Sequence, residues 1–234
     1  MDWQTYVITG ASSGIGKCLA LSLARQGKRV FGLARGAEQL NQLEKEGNGN
    51  ITGMQVDVSD AKQIAAAFEE IEKSTPIDVL VNNAAIYEKR LLWDQDLDTI
   101  DNMININLKG SIYCARLVVP YMLERKRGYI VNICSMSGKR GHKKETIYCA
   151  TKHGMVGFAD SLAQDLQPFG IHVTTICPGG TSTPLWDEQK NPYPGDKSKI
   201  TKPEEIAELV EFILSRPDNT VYKRIELFPM VEWH

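Results

Sequence analysis

Short apolar runs rich in β-branched residues recur along the chain, and they alternate with longer stretches whose apolar positions fall three and four apart. The runs at 6–8, 29–33, 51–58, 78–81, 129–133, 171–176 and 224–228 read as strands. Several are apolar almost throughout, as strands buried on both faces are. Residues 15–25 place Ile15, Leu19 and Leu23 on one face of a helix. The polar segment 36–46 carries Leu40 and Leu43 at helical spacing, and Ser59-Asp60 caps a helix bearing Ile64, Ala67, Phe68 and Ile71. Helical periodicity runs unbroken from 97 to 123 and from 146 to 167, the second stopping near Pro168 and Gly170. Thr201 and Glu204 have capping-box spacing, with Pro203 in the first turn of a helix reaching Leu214. Strand and helix in steady alternation predict an α/β fold: a doubly wound parallel sheet of about seven strands with helices on both faces. Neither repeat nor linker interrupts it, so residues 1–234 are expected to form one domain. The exception is 187–199, which holds Pro192, Pro194, Gly195 and several charges. It predicts a long loop, and 182–200 is expected to be a substrate lid.

Composition narrows the function. The chain has 234 residues, 42% hydrophobic and 24% charged, with a formal net charge of -2. That balance argues against a nucleic-acid partner. No apolar window is long enough to span a bilayer, and Met1-Asp2-Trp3-Gln4 lacks the basic start of a signal peptide, so a cytoplasmic location without membrane contact is expected. Five cysteines without a C-x-x-C pair suit reduced thiols, and four histidines show no metal-ligand spacing, so no metal is expected. His172, inside an apolar run, reads as a satisfied strand residue.

The candidate chemistry starts at TGASSGIG, residues 9–16, directly after the first strand and opening the first helix. A helix N-terminus offers unpaired N–H groups and the positive end of a dipole, and glycines let a pyrophosphate approach the backbone. The spacing differs from G-x-G-x-x-G, so the loop alone is equally a tight corner. Tyr148 and Lys152 stand four apart on a predicted helix and share a face. A nearby ammonium favours a phenolate, so Lys152 is expected to lower the pKa of Tyr148 and make it a working acid or base.

TGASSGIG, Asn82-Asn83-Ala84-Ala85, Tyr148-x-x-x-Lys152 and Pro178-Gly179-x-x-x-Thr183 occur in this order across the chain. Together they resemble the short-chain dehydrogenase/reductase family, in its short single-domain form. The resemblance implies a Rossmann-type fold and a nicotinamide dinucleotide held by Gly10, Ser12, Ser13, Gly14, Ile15, Gly16, Asp57, Val58, Asn82, Ala84, Tyr148, Lys152, Pro178, Gly179, Thr181 and Thr183. Ala85 replaces a glycine of the family motif. Ala34 stands where NAD-preferring relatives carry an acid, and Arg35 follows with a guanidinium suited to a 2′-phosphate, so NADP(H) is favoured; Glu38 keeps NAD as the alternative.

The resemblance also implies catalytic roles. Ser135 holds the substrate oxygen, Tyr148 donates the proton, Lys152 binds the ribose and tunes the tyrosine, and Asn107 supports the lysine through a water. Ser137 and Asn105 are the neighbouring, less suited positions. The implied reaction is reversible reduction of a ketone or aldehyde. An NAD-dependent alcohol dehydrogenase working oxidatively is the alternative, and a non-catalytic cofactor sensor or scaffold is a further one. The substrate pocket is expected from Met136, Ser137, His142, Ile147, Gly179 and Trp186, with Tyr193 as a further cover; Trp186 reads equally as a loop anchor. Segment 219–227 lacks the glycine-rich run of acyl-carrier-protein reductases, and the chain's end looks more like the sepiapterin-reductase-like and small-hydroxy-acid branches. Family members assemble as homodimers or homotetramers through the two long helices, and Trp233-His234 is either a subunit contact or a frayed end.

Overall fold

The computed structural model describes residues 2–232; Trp233 and His234 lie outside the described residues. Seven strands form one parallel sheet in the order β3-β2-β1-β4-β5-β6-β7. They are β1 (Thr5–Thr9), β2 (Arg29–Ala34), β3 (Ile51–Gln55), β4 (Val79–Asn82), β5 (Gly128–Ile133), β6 (Ile171–Pro178) and β7 (Arg224–Leu227). The helices are α1 (Gly14–Arg25), α2 (Ala37–Glu46), α3 (Ala61–Ser74), α4 (Leu97–Ile104), α5 (Ser111–Arg125), α6 (Thr146–Leu166) and α7 (Pro203–Leu214). The order reverses between β1 and β4, which opens a crevice at the carboxyl ends of these strands, where doubly wound sheets take ligands.

Side chains alternate across the sheet, so each face has its own core. Tyr6 and Ile8 pack with Leu19, Leu23, Ile206 and Val210 of α1 and α7. Val7 packs on the other face with Ile64, Phe68, Val118 and Ala159 of α3, α5 and α6.

Three expectations need correction. The strand expected over 51–58 ends at Gln55, because Asp57 turns back to accept the Ser59 N–H and hydroxyl in front of α3. The helix expected over 97–123 is interrupted by a π-helical turn, Asn105–Gly110. Gly110 lies so close to Val58 that a Cβ would come within 2.9 Å of Val58 Cγ2. The proposed capping box does not form. Thr201 bridges to Thr181 instead, Lys202 occupies the N-cap position, and Glu204 accepts from Cys18 Sγ. Asp60 does cap α3, accepting from the Lys62 and Gln63 amides.

Candidate active site

A cleft of about 590 Å³ runs along the carboxyl edge of β1, β2, β4, β5 and β6. Its first end is lined by Gly10, Ser12, Ser13, Gly14 and Ile15. Gly10 and Gly14 have φ of +65° and +51°, the left-handed region where a side chain is strained. A Cβ on Gly10 would approach Ala84 Cα to 2.9 Å. Ser13 is the N-cap of α1 but its hydroxyl caps no amide, and the first turn carries no acid. The amides and positive dipole end of a twelve-residue helix therefore meet the cleft without competition. Asn83 ties this turn to β4: its Nδ2 donates to the carbonyls of Thr9 and Gly10, while Thr9 Oγ1 accepts from the Asn83 and Ala84 amides.

Arg35 leaves the end of β2 exposed on the cleft wall, and no ion-pair partner engages it among the described residues. Asp57 and Val58 form the neighbouring wall, followed by Ala84. Pro178, Gly179, Thr181 and Thr183 close the opposite side beyond β6. Four observations thus fit a dinucleotide phosphate: a turn with two left-handed glycines, an uncapped helix start, no acid in the first turn of that helix, and a guanidinium without an ion-pair partner.

The middle of the cleft gathers Ser135, Tyr148 and Lys152. Ser135 follows β5 directly, and its Oγ accepts the Ser137 amide at 3.1 Å. Tyr148 and Lys152 share one face of α6, with Nζ 5.6 Å from the phenol ring centroid. Lys152 is 1% exposed, and its Nζ donates to the Ile133 carbonyl at 3.1 Å. Burial lowers the lysine's pKa. Contrary to expectation, the Tyr148 phenol is pushed up rather than down. Burial dominates, the charge on Cys134 adds to it, and a hydrogen bond with Ser135 opposes it only in part. Desolvation sets the direction.

At the far end Met136, Ser137, His142 and Trp186 line the cleft as expected. Trp186 also packs edge-on between Tyr87 and Tyr193, with centroids at 5.3 and 5.1 Å. Segment 182–200 crosses this end. Asn191 pins it to the opposite loop, accepting from the Lys89 amide and donating to the Tyr87 carbonyl. Tyr193 donates to Glu232 Oε1, and the same carboxylate accepts the Gly180 amide.

Four expected residues stand outside the cleft lining. Asn82 points into the sheet, where its Nδ2 donates to Asn132 Oδ1 across the β4–β5 register. Gly16 lies behind the turn, where a Cβ would meet the Gly10 carbonyl at 2.5 Å; it is a packing glycine. Asn107 is buried in the π-helical turn, with its amide spent on the Ile86 N–H and C=O and on Thr151 Oγ1. Ile147 precedes Tyr148 on α6 and so sits roughly 100° around the helix from the cleft. The sequence reading missed Tyr87, Lys89, Arg140, Glu145 and Glu232, all of which line the cleft. None belongs to a motif, and only chain folding brings them together.

The sequence profile of short chain dehydrogenase matches residues 4–194. The 3-oxoacyl-[acyl-carrier-protein] reductase FabG of Thermotoga maritima is 34% identical over 227 residues, 92% of each chain. Serine dehydrogenase from Escherichia coli superposes with a TM-score of 0.88 at 27% identity, over 99% of this chain and 100% of that one. The closed form of serine dehydrogenase complexed with NADP+ gives 0.91 at 28% identity, over 99% and 97%. The conserved length, the sheet order and the converging serine, tyrosine and lysine lead to one conclusion: this chain belongs to the short chain dehydrogenase family and is an oxidoreductase.

Proposed function

We propose that the protein interconverts a small ketone or aldehyde and its alcohol with NADP(H). The observation that carries this reading is the convergence of Ser135, Tyr148 and Lys152 in one cleft with the glycine turn and an unpaired Arg35. Gly10, Ser12, Gly14 and Ile15 would hold the pyrophosphate, Arg35 the 2′-phosphate, and Lys152 the nicotinamide ribose. A bound nicotinamide supplies the hydride. Ser135 holds the substrate oxygen and Tyr148 gives it a proton. Burial keeps the phenol protonated, so the resting site is poised as an acid, in the reductive sense. Burial lowers the pKa of Lys152 and so eases release of its proton. Asn107 acts from behind, fixing the Ile86 loop against α6.

Residues 182–200 act as the lid. The aromatic end of the cleft under it suits a compact substrate, in line with the likeness to serine dehydrogenase. The likeness to FabG favours a second substrate, a 3-oxoacyl thioester. Assembly through α5 and α6 belongs to this reading too, and Leu92, Trp93 and Leu97 lie exposed at the entry to α4. No helix among the described residues is long and apolar enough to cross a membrane.

The test is NADPH oxidation against a panel of ketones, aldehydes, short oxo acids and an acetoacetyl thioester. Tyr148→Phe should lose roughly 10²- to 10⁴-fold in turnover, the range for a lost general acid, with NADPH binding changed little. Full activity in Tyr148→Phe would sink the mechanism, and binding without turnover on any substrate would favour a cofactor sensor.

A further inference from the structure

Glu145 belongs to no motif, yet it lines the cleft beside the proposed chemistry. It stands at the N-cap of α6 and is 9% exposed. Its Oε1 accepts the Tyr87 hydroxyl at 2.9 Å, and its Oε2 accepts the Ser137 hydroxyl at 3.1 Å. Its backbone carbonyl accepts the Cys149 amide in the first turn of the same helix. A carboxylate in this place also meets the positive end of a 21-residue helix.

Each side-chain bond leads on to a reacting hydroxyl. Tyr87 stands edge-on to Tyr148 with ring centroids 4.9 Å apart. Ser137 gives its amide to Ser135 Oγ, which leaves the Ser135 proton to be donated elsewhere. One buried carboxylate thus braces both the proposed proton donor and the proposed oxygen-holding group.

We propose that Glu145 is a positioning residue of this site, fixing Tyr148 through Tyr87 and Ser135 through Ser137. The inference rests on the oxidoreductase reading above. It also carries an electrostatic consequence. The groups facing Tyr148 are Cys134 and Ser135 after β5, Cys149 and Lys152 on α6, Glu145 before α6, and Tyr87 from the loop after β4. Cys134 and Glu145 both disfavour the phenolate. Glu145 therefore helps hold the phenol in its donor form.

The experiment compares kcat, KM and the pH profile of Glu145→Gln, Tyr87→Phe and Tyr148→Phe with those of the wild type, in both directions, on the best substrate from the panel. Glutamine is nearly isosteric and keeps an acceptor but loses the charge. Glu145→Gln should lower kcat roughly ten- to a hundredfold, as small misplacements of reacting groups do. It should also move the limb for alcohol oxidation to lower pH by about half a unit or more, since removing a nearby negative charge eases phenolate formation. Tyr87→Phe keeps the charge, so kcat should fall while the limb stays in place. An unchanged kcat and an unmoved limb in Glu145→Gln would overturn the inference. So would Tyr87→Phe reproducing the full pH shift. Should Glu145→Gln fail to fold, Glu145→Asp takes its place. It keeps the charge but cannot span both hydroxyls, so kcat should fall with the limb unmoved, and wild-type kcat would refute the positioning role. If Tyr148→Phe is inactive and Glu145→Gln is like wild type, only this inference falls; if Tyr148→Phe is fully active, the reading beneath it falls.

Discussion

At the dinucleotide end of the cleft the walls are largely backbone: a turn with two left-handed glycines, the open start of α1, and loop amides tied by Thr9 and Asn83. At the substrate end the walls are side chains: Tyr87, Glu145, Trp186 and Tyr193, from three separate segments, cross-linked by Asn191 and Glu232. Backbone sites tolerate little change, because the peptide itself must occupy one conformation and one place. Side-chain sites can be retuned one contact at a time. This contrast makes each end fail in its own way.

The largest effect is expected from Gly10→Val. A β-branched residue at φ +65° costs about 1–3 kcal/mol of backbone strain, and its Cβ would also press on Ala84. NADPH binding, followed by fluorescence titration, should be lost, with a lower Tm. Normal binding would show that the turn does not approach the ligand.

Arg35→Asp tests the exposed guanidinium at the backbone end. Losing a charge-assisted hydrogen bond is worth about 1.5–3 kcal/mol, so NADPH affinity should fall roughly ten- to a hundredfold while NADH affinity holds or rises. An unchanged NADPH/NADH ratio would show that the guanidinium is a solvated surface group.

Asn191→Ala loosens segment 182–200 without touching the other end. It removes two hydrogen bonds, each worth about 0.5–1.5 kcal/mol. A rise in substrate KM of roughly three- to tenfold, with NADPH affinity constant, is expected from steady-state kinetics. A matching loss of NADPH affinity would mean that the two ends are not separable.

The smallest effect lies away from both ends. His172 stacks on Tyr129 at 5.1 Å in β6, and burial holds its pKa below the usual imidazole value. Above about pH 6.5 both folded and unfolded forms are neutral there, and its neutral state costs nothing. As pH falls, the unfolded chain takes up the proton first, so stability should decline below about pH 6.5. Urea titrations of wild type and His172→Phe should show the shallower slope in the variant; equal slopes would remove the histidine from the account.

The legibility of the molecule follows the same division. The strands from 6–8 to 224–228 and most helices were readable, because apolar periodicity is local and each strand end is marked by its turn chemistry. The break at Asn105–Gly110 was not, since the 97–123 pattern is helical on either side and the extra residue is accommodated by contact with Val58. The partner of Asn82 was not legible either: its motif says nothing of the neighbouring strand, where Nδ2 finds Asn132 Oδ1.

By itself the sequence determined the α/β architecture, the glycine turn, and the shared face of Tyr148 and Lys152, because these depend on backbone conformation and short-range spacing. Only the tertiary structure decided the direction in which Tyr148 is tuned, the contacts that hold segment 182–200 and the two hydrogen bonds of Glu145. Desolvation is set by everything packed around a group, and contacts such as Tyr193 to Glu232 or Tyr87 to Glu145 join segments that no local pattern connects.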